Sequence, residues 1–251
     1  MAWSLRLHGV GNATAVELGS AMASIEHQGA PWLTIDCGAE GLTAFEAQYG
    51  RMPGAVFVTH AHLDHIAGLE RLFVATWFDP ERRGRVRLYV PAPIVPLLQR
   101  RVGDYPNVLA EGGVNFWDAF QLVPVSEAFW HEGLRLEVFP VRHHWPDTAF
   151  GLRLRGSLVW SGDTRPIPEM LARHADDGEL IAHDCALHGN PSHTGLDDLE
   201  REYPAALRQR MLLYHYAGQA DAAAIAARGY DVARPGELRA LAAPTAMQAS
   251  A

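Results

Sequence analysis

Residues 59–65 read Thr59-His60-Ala61-His62-Leu63-Asp64-His65, which places three imidazoles and a carboxylate within positions 60–65. Nitrogen and oxygen donors without thiolate suit zinc, and also manganese or iron. In an extended loop His60 and His62 point the same way and can reach one ion. Asp64 and His65 lie past a bend and can reach a second. Two ions need more than four donors, and candidates follow other strand-like runs. His143 and His144 end Leu134–Val141, Asp163 ends Leu158–Trp160, and His215 ends Met211–Tyr214. Two neighbouring cations lower the pKa of a shared water and stabilise charge on the oxygen under attack. The chemistry expected of this set is hydrolysis by a metal-bridging hydroxide.

The elements that must carry these residues alternate. Strand-like runs are read at Ser4–Leu7, Trp32–Ile35, Val56–Thr59, Val86–Val90, Leu134–Val141, Phe150–Leu154, Leu158–Trp160, Leu180–Ala182 and Met211–Tyr214. Helix-like runs are read at Leu42–Tyr49, Asp64–Phe73, Ile94–Arg101, Pro166–His174, Leu196–Tyr203 and Gln219–Arg228. Gly156-Ser157 suits a hairpin turn. Strands in two sets with helices outside both predict an α/β fold, a four-layer αββα sandwich of two mixed β-sheets. One domain is expected over residues 1–242, with an Ala-, Pro- and Ser-rich tail at 243–251 that frays.

The chain has 251 residues, is 48% hydrophobic and 20% charged, and carries a net charge of −8. That balance weighs against a general nucleic-acid binder. Arginines cluster at Arg82, Arg83, Arg85 and Arg87 and at Arg100 and Arg101, and read as solvated faces. Cys37 and Cys185 are too few for a disulfide framework. No apolar run is long enough to span a membrane, so no membrane association and a cytoplasmic location are expected.

His60-Ala61-His62-Leu63-Asp64-His65 resembles the H-x-H-x-D-H motif of the metallo-β-lactamase superfamily, dinuclear metallohydrolases of αββα fold. The likeness runs over roughly residues 5–240. It includes Gly9-Val10-Gly11-Asn12, Ile35-Asp36-Cys37-Gly38 and Ser161-Gly162-Asp163-Thr164-Arg165-Pro166. The downstream half is most similar to the ribonuclease Z and phosphodiesterase branch, through Glu179–Cys185, Pro191-Ser192-His193-Thr194 and Leu212-Leu213-Tyr214-His215. The resemblance implies that His60, His62 and one of His143 or His144 hold one metal. Asp64, His65 and His215 would hold the other, with Asp163 bridging. A valine–x–histidine stretch in related nucleases favours His143, leaving His144 to touch substrate or support the ligands.

The resemblance also implies His193 as proton donor to the leaving oxygen, oriented by Asp184. Asp64 could orient or deprotonate the nucleophile as well as bind metal. Arg165 could grip a phosphate, or form a surface ion pair. Tyr214 and Tyr216 flank His215, one to pack and the other to face substrate. The expected cofactor is a pair of divalent ions, zinc first, manganese or iron otherwise. The expected substrate is a small anionic phosphodiester or nucleotide-like molecule. No glycine-rich basic arm is seen, which argues against folded RNA and a ribonuclease-Z-like endonuclease. The alternatives are an ester, thioester or lactone hydrolase and a non-catalytic binding module. The aromatic-rich region 74–132 could line an apolar pocket, cover the site, form a homodimer contact or simply pack in the core.

Overall fold

The computed structural model describes residues 2–104 and 114–245. Residues 105–113 of the aromatic-rich region and 246–251 of the expected tail lie outside the described residues. Within the tail, Thr245 donates its N–H to the Arg155 carbonyl at 2.8 Å.

The first half of the chain builds β1 (Trp3–Gly9), β2 (Met22–His27), β3 (Ala30–Ile35), β4 (Ala55–Phe57), β5 (Val86–Pro91) and β6 (Phe120–Val125). The second half builds β7 (Ala128–His131), β8 (Leu134–Pro140), β9 (Phe150–Leu154), β10 (Leu158–Trp160), β11 (Leu180–Asp184), β12 (Met211–Tyr214), β13 (Asp231–Val232) and β14 (Leu238–Leu241). They form two seven-stranded sheets, ordered β14-β1-β2-β3-β4-β5-β6 and β13-β12-β11-β10-β9-β8-β7. Each sheet is part antiparallel and part parallel. In the first, β3 to β6 run parallel; in the second, β10 to β13 do. The last strand of the chain returns to pair with β1 in the first sheet.

The apolar run Ala55-Val56-Phe57 is buried along its whole length, as a parallel strand between covered faces must be. Between the sheets Tyr89 of β5 stacks on Phe129 of β7 at 4.2 Å between ring centroids. Helices α1 (Ala39–Tyr49), α2 (Leu63–Ile66) and α3 (Gly68–Trp77) lie on the first sheet's side. Of these, α3 buries Leu69, Leu72, Phe73 and Thr76, one stripe at helical spacing. Next come α4 (Val95–Leu98), α5 (Pro168–His174), α6 (Leu196–Glu202), α7 (Ala205–Arg208) and α8 (Gln219–Ala227). The four-layer arrangement expected from the alternation is the one found.

Two helices differ from the expectation. The run Asp64–Phe73 divides into α2 and α3 at Ala67, and Ile94–Arg101 becomes α4 followed by a π turn over Gln99–Gly103. Among the described residues of the aromatic-rich region most aromatics pack, with Phe78 and Trp130 the exposed exceptions. Phe116 is buried against Phe73 and Phe120, while Trp130 stays half exposed.

Candidate metal centre

Every residue singled out as a donor sits just beyond a strand. The β4 strand delivers Thr59 and His60, α2 carries Asp64 and His65, and β8, β10 and β12 lead to His143, Asp163 and His215. The loops close tightly. A Cβ on Gly38 would lie 2.2 Å from the Asp64 carbonyl, so only glycine lets the β3–α1 turn meet this loop. Asp36 and His215 hold left-handed backbone at φ 63° and 72°, a state uncommon outside glycine that aspartate and histidine enter more readily than most residues.

Three groups of possible donors result, each with its donor atoms within 4.8 Å of one another: His60, His62, His143 and Asp163; Asp64, His65, Asp163 and His215; and Asp184, His193 and His215. Asp163 belongs to the first two. Its Oδ2 lies 3.1 Å from His215 Nε2, 3.3 Å from His65 Nε2, 3.6 Å from His60 Nε2 and 4.0 Å from His143 Nε2. His143, not His144, enters the cluster. His144 is exposed, with Nδ1 3.4 Å from Ser192 Oγ.

The histidines are oriented from behind. Thr59 donates its N–H and hydroxyl to Asp36. His60 Nδ1–H can therefore donate to Thr59 Oγ at 3.0 Å. His65 Nδ1–H donates to Asp36 Oδ2 at 2.8 Å, and His143 Nδ1–H to the Ser192 carbonyl at 3.0 Å. Each bond turns an Nε2 lone pair toward the centre. Asp36 was visible in the sequence only as part of a motif, without a role. Its part is to hold His65 and, through Thr59, His60.

The residues fit divalent cations on three counts. Buried His60 Nε2, His65 Nε2, His215 Nε2 and Asp163 Oδ1 have no hydrogen-bond partner. His143 Nε2 lies only 3.1 Å from His62 Nδ1, which places two imidazole nitrogens where a shared cation would satisfy both. Asp36, Asp64, Asp163 and Asp184 have only histidines as ion partners among the described residues.

The electrostatics agree. Burial would raise the Asp163 carboxyl, but His215, His65 and His60 hold it well below its ordinary range. Burial opposes charge on His215, yet Asp163, Asp184 and Asp64 push it up to about 10. His65 is raised likewise by Asp163 and Asp36 against its burial, while burial carries His60 well below the ordinary range. The centre thus demands positive charge, which protons supply when metals do not.

Beside the centre, His193 Nδ1–H donates to Asp184 Oδ2 at 2.8 Å. Asp184 is fully buried, accepts the Thr164 N–H, and has its other oxygen 3.5 Å from His215 Nδ1. His193 stacks on His215 with centroids 4.9 Å apart and remains partly exposed. Burial disfavours its charged form, and the Asp184 carboxylate outweighs that, raising its pKa above the ordinary value.

A cavity of about 280 Å³ opens over His60, His62 and His143, walled by Leu97, Arg101, His144, Trp145 and Thr148. The sequence offered no signal for Leu97, Arg101 or Trp145 as wall residues. Arg165 does not line this cavity. It lies in an adjoining hollow beyond Trp145, with Nε 3.4 Å from the Arg142 carbonyl. Neither tyrosine beside His215 faces the opening: both are buried, and Tyr216 donates to the Ala233 carbonyl at 2.5 Å. Among the described residues no aromatic of 74–132 lines the cavity.

A family model described as anti-Pycsar protein Apyc1 matches residues 3–238. A relative of that name from Saccharibacillus brassicae is 32% identical over 222 residues, covering 85% of this chain and 90% of its own. Among solved structures, the metallo-β-lactamase fold protein YhfI from Bacillus subtilis superposes with TM-score 0.75 at 14% identity, covering 96% of this chain and all of its own. A diphosphatase of the PhnP family also superposes with TM-score 0.75, at 18% identity, covering 97% of this chain and 99% of its own. The fold is that of the metallo-β-lactamases.

Proposed function

The chain belongs to the anti-Pycsar protein Apyc1 family, and on that premise we propose that it is a dinuclear metal-dependent phosphodiesterase acting on a small cyclic-nucleotide-type phosphodiester. The observation that carries this reading is the His193–Asp184 pair beside the two donor groups that share Asp163. An alkoxide is a poor leaving group and needs a proton as the P–O bond breaks, whereas activated acyl esters do not. A cyclic phosphodiester has both ester oxygens on one sugar, so the whole molecule suits a cavity of about 280 Å³, at the lower end of small-molecule sites. A strand of folded RNA does not.

In this reading His60, His62 and His143 would hold one cation and Asp64, His65 and His215 the other, with Asp163 available to both. Zinc suits the nitrogen and oxygen donors, with manganese or iron as substitutes. Divalent cations there supply Lewis acidity and make water a nucleophile near neutral pH. Asp64, whose burial is outweighed by His215 and His65 so that it stays ionised, accepts the proton of the attacking water. His193 Nε2–H gives its proton to the departing sugar oxygen, while Asp184 retains Nδ1–H and stabilises the imidazolium beforehand. The phosphorus gains the water oxygen and loses one ester oxygen, leaving a phosphomonoester and a hydroxyl. Trp145 and Leu97 offer the apolar faces for a base, and Arg101 the nearby positive charge.

The test is a substrate-class screen of metal-loaded protein on 3′,5′-cyclic nucleotides, bis(p-nitrophenyl) phosphate, p-nitrophenyl acetate and a lactone. Turnover of the phosphodiesters is expected. Activity confined to the acyl substrates would overturn the proposal in favour of an ester or lactone hydrolase.

A further inference from the structure

The arginine cluster at 82–87 takes no part in the hydrolytic site, and its members separate in the fold. Arg82 donates to the Pro53 carbonyl at 2.7 Å, Arg83 lies over the Trp77 ring, and Arg85 reaches toward Glu81 at 3.8 Å. Arg87 lines a second cavity, of about 340 Å³, with Arg51, Arg85, Trp32, His131 and Glu132. Gly54 and Ala55, at the start of β4, also line it. The cavity is therefore at the opposite end of that strand from His60.

The Arg87 guanidinium opposes the rise that burial gives the Tyr89 pKa. Tyr89 is bonded to His131 Nδ1 at 2.9 Å, and His131 Nε2 to the Trp32 carbonyl at 2.8 Å. A carbonyl only accepts, so Nε2 carries the ring proton and Nδ1 accepts from Tyr89. Tyr89 and His131 are each 2% exposed. The relay therefore fixes His131, which lines the cavity beside Arg87.

The positive charge here is only partly balanced by the protein, since Glu81 faces Arg85 alone of the three arginines. Among the described residues neither Arg51 nor Arg87 has a carboxylate within ion-pair distance, and Glu132 is the one acid in the lining. The chain carries 29 acidic against 21 basic residues, so the surplus is local. Guanidinium forks match phosphate oxygens bidentately, and three of them around one cavity exceed what a single phosphate needs. We propose that this cavity binds a small, multiply charged phosphate compound of the pyrophosphate type, at a site remote from the hydrolytic one.

The experiment is calorimetric titration of the metal-loaded chain with inorganic pyrophosphate, with metal content measured before and after to expose chelation. Wild type is compared with Arg51→Gln, an exposed position where folding is not at stake, and with Arg87→Gln. Saturable wild-type binding that weakens about tenfold or more in each variant, while phosphodiester turnover stays unchanged, is the expected result. No binding by wild type, or the same curve in all three proteins, would overturn the proposal. Both variants lie outside the metal centre, so such a failure leaves the phosphodiesterase reading standing.

Discussion

The donor cluster forms a floor under the hydrolytic cavity: His60 and His143 line it, and these two with His65, Asp163 and His215 are all at most 4% exposed, most with an Nδ1 tied to a protein oxygen. On its wall, Trp145 is 78% exposed, and Arg101 has no ion pair among the described residues. The floor is organised for chemistry before anything binds, because buried donors left unpaired cost too much to be placed loosely. The wall is more open to solvent, most of all at Trp145, as suits contact with an incoming ligand. Changes to the floor should therefore act on metal and turnover, and changes to the wall on affinity.

The sharpest way to break this contrast is Asp163→Ala. It removes the oxygen shared by the first two donor groups, and turnover should fall on the order of 10⁴-fold with loss of bound metal by elemental analysis. An active variant with full metal content would show that the floor is not one unit. His193→Ala should keep both metals and lose about 10²- to 10⁴-fold in kcat on alkoxide leaving groups, with a much smaller loss on p-nitrophenolate. Equal losses on both leaving groups would remove the proton-donor role.

Asp36→Asn probes the support rather than the donors. Metal affinity should weaken by about 10- to 100-fold, read by competition with a chelator, and saturating metal should restore most of the turnover. Trp145→Ala, on the wall, should raise KM by about two- to tenfold with metal content and kcat unchanged. A kcat effect larger than the KM effect there would mean that the wall also sets the chemistry.

The same contrast explains what was legible in the sequence. Metal donors come from a short list of side chains, chiefly histidine, cysteine, aspartate and glutamate, and α/β folds display them at strand ends. The candidate donors His60, His62, Asp64, His65, Asp163 and His215 could thus be picked out by residue type and position, whereas the preference for His143 over His144 rests only on the resemblance to related nucleases. The wall carries no such restriction. Leu97 and Arg101 look like ordinary helix residues, and only the folding of residues 92–103 over the site brings them near His62. Arg165 had the right chemistry and sequence position, but its guanidinium reaches the Arg142 carbonyl instead. Among strands, β2 escaped notice because Met22-Ala23-Ser24-Ile25-Glu26-His27 has a single β-branched residue. β13 and β14 are short edge strands whose pairing is fixed by tertiary contact.

The most direct test is metal titration of chelator-stripped protein, following turnover of a cyclic nucleotide as zinc or manganese is added. The two donor groups that share Asp163 predict that full turnover appears only once two ions per chain are bound. Full turnover with one ion, or with none, would contradict the account.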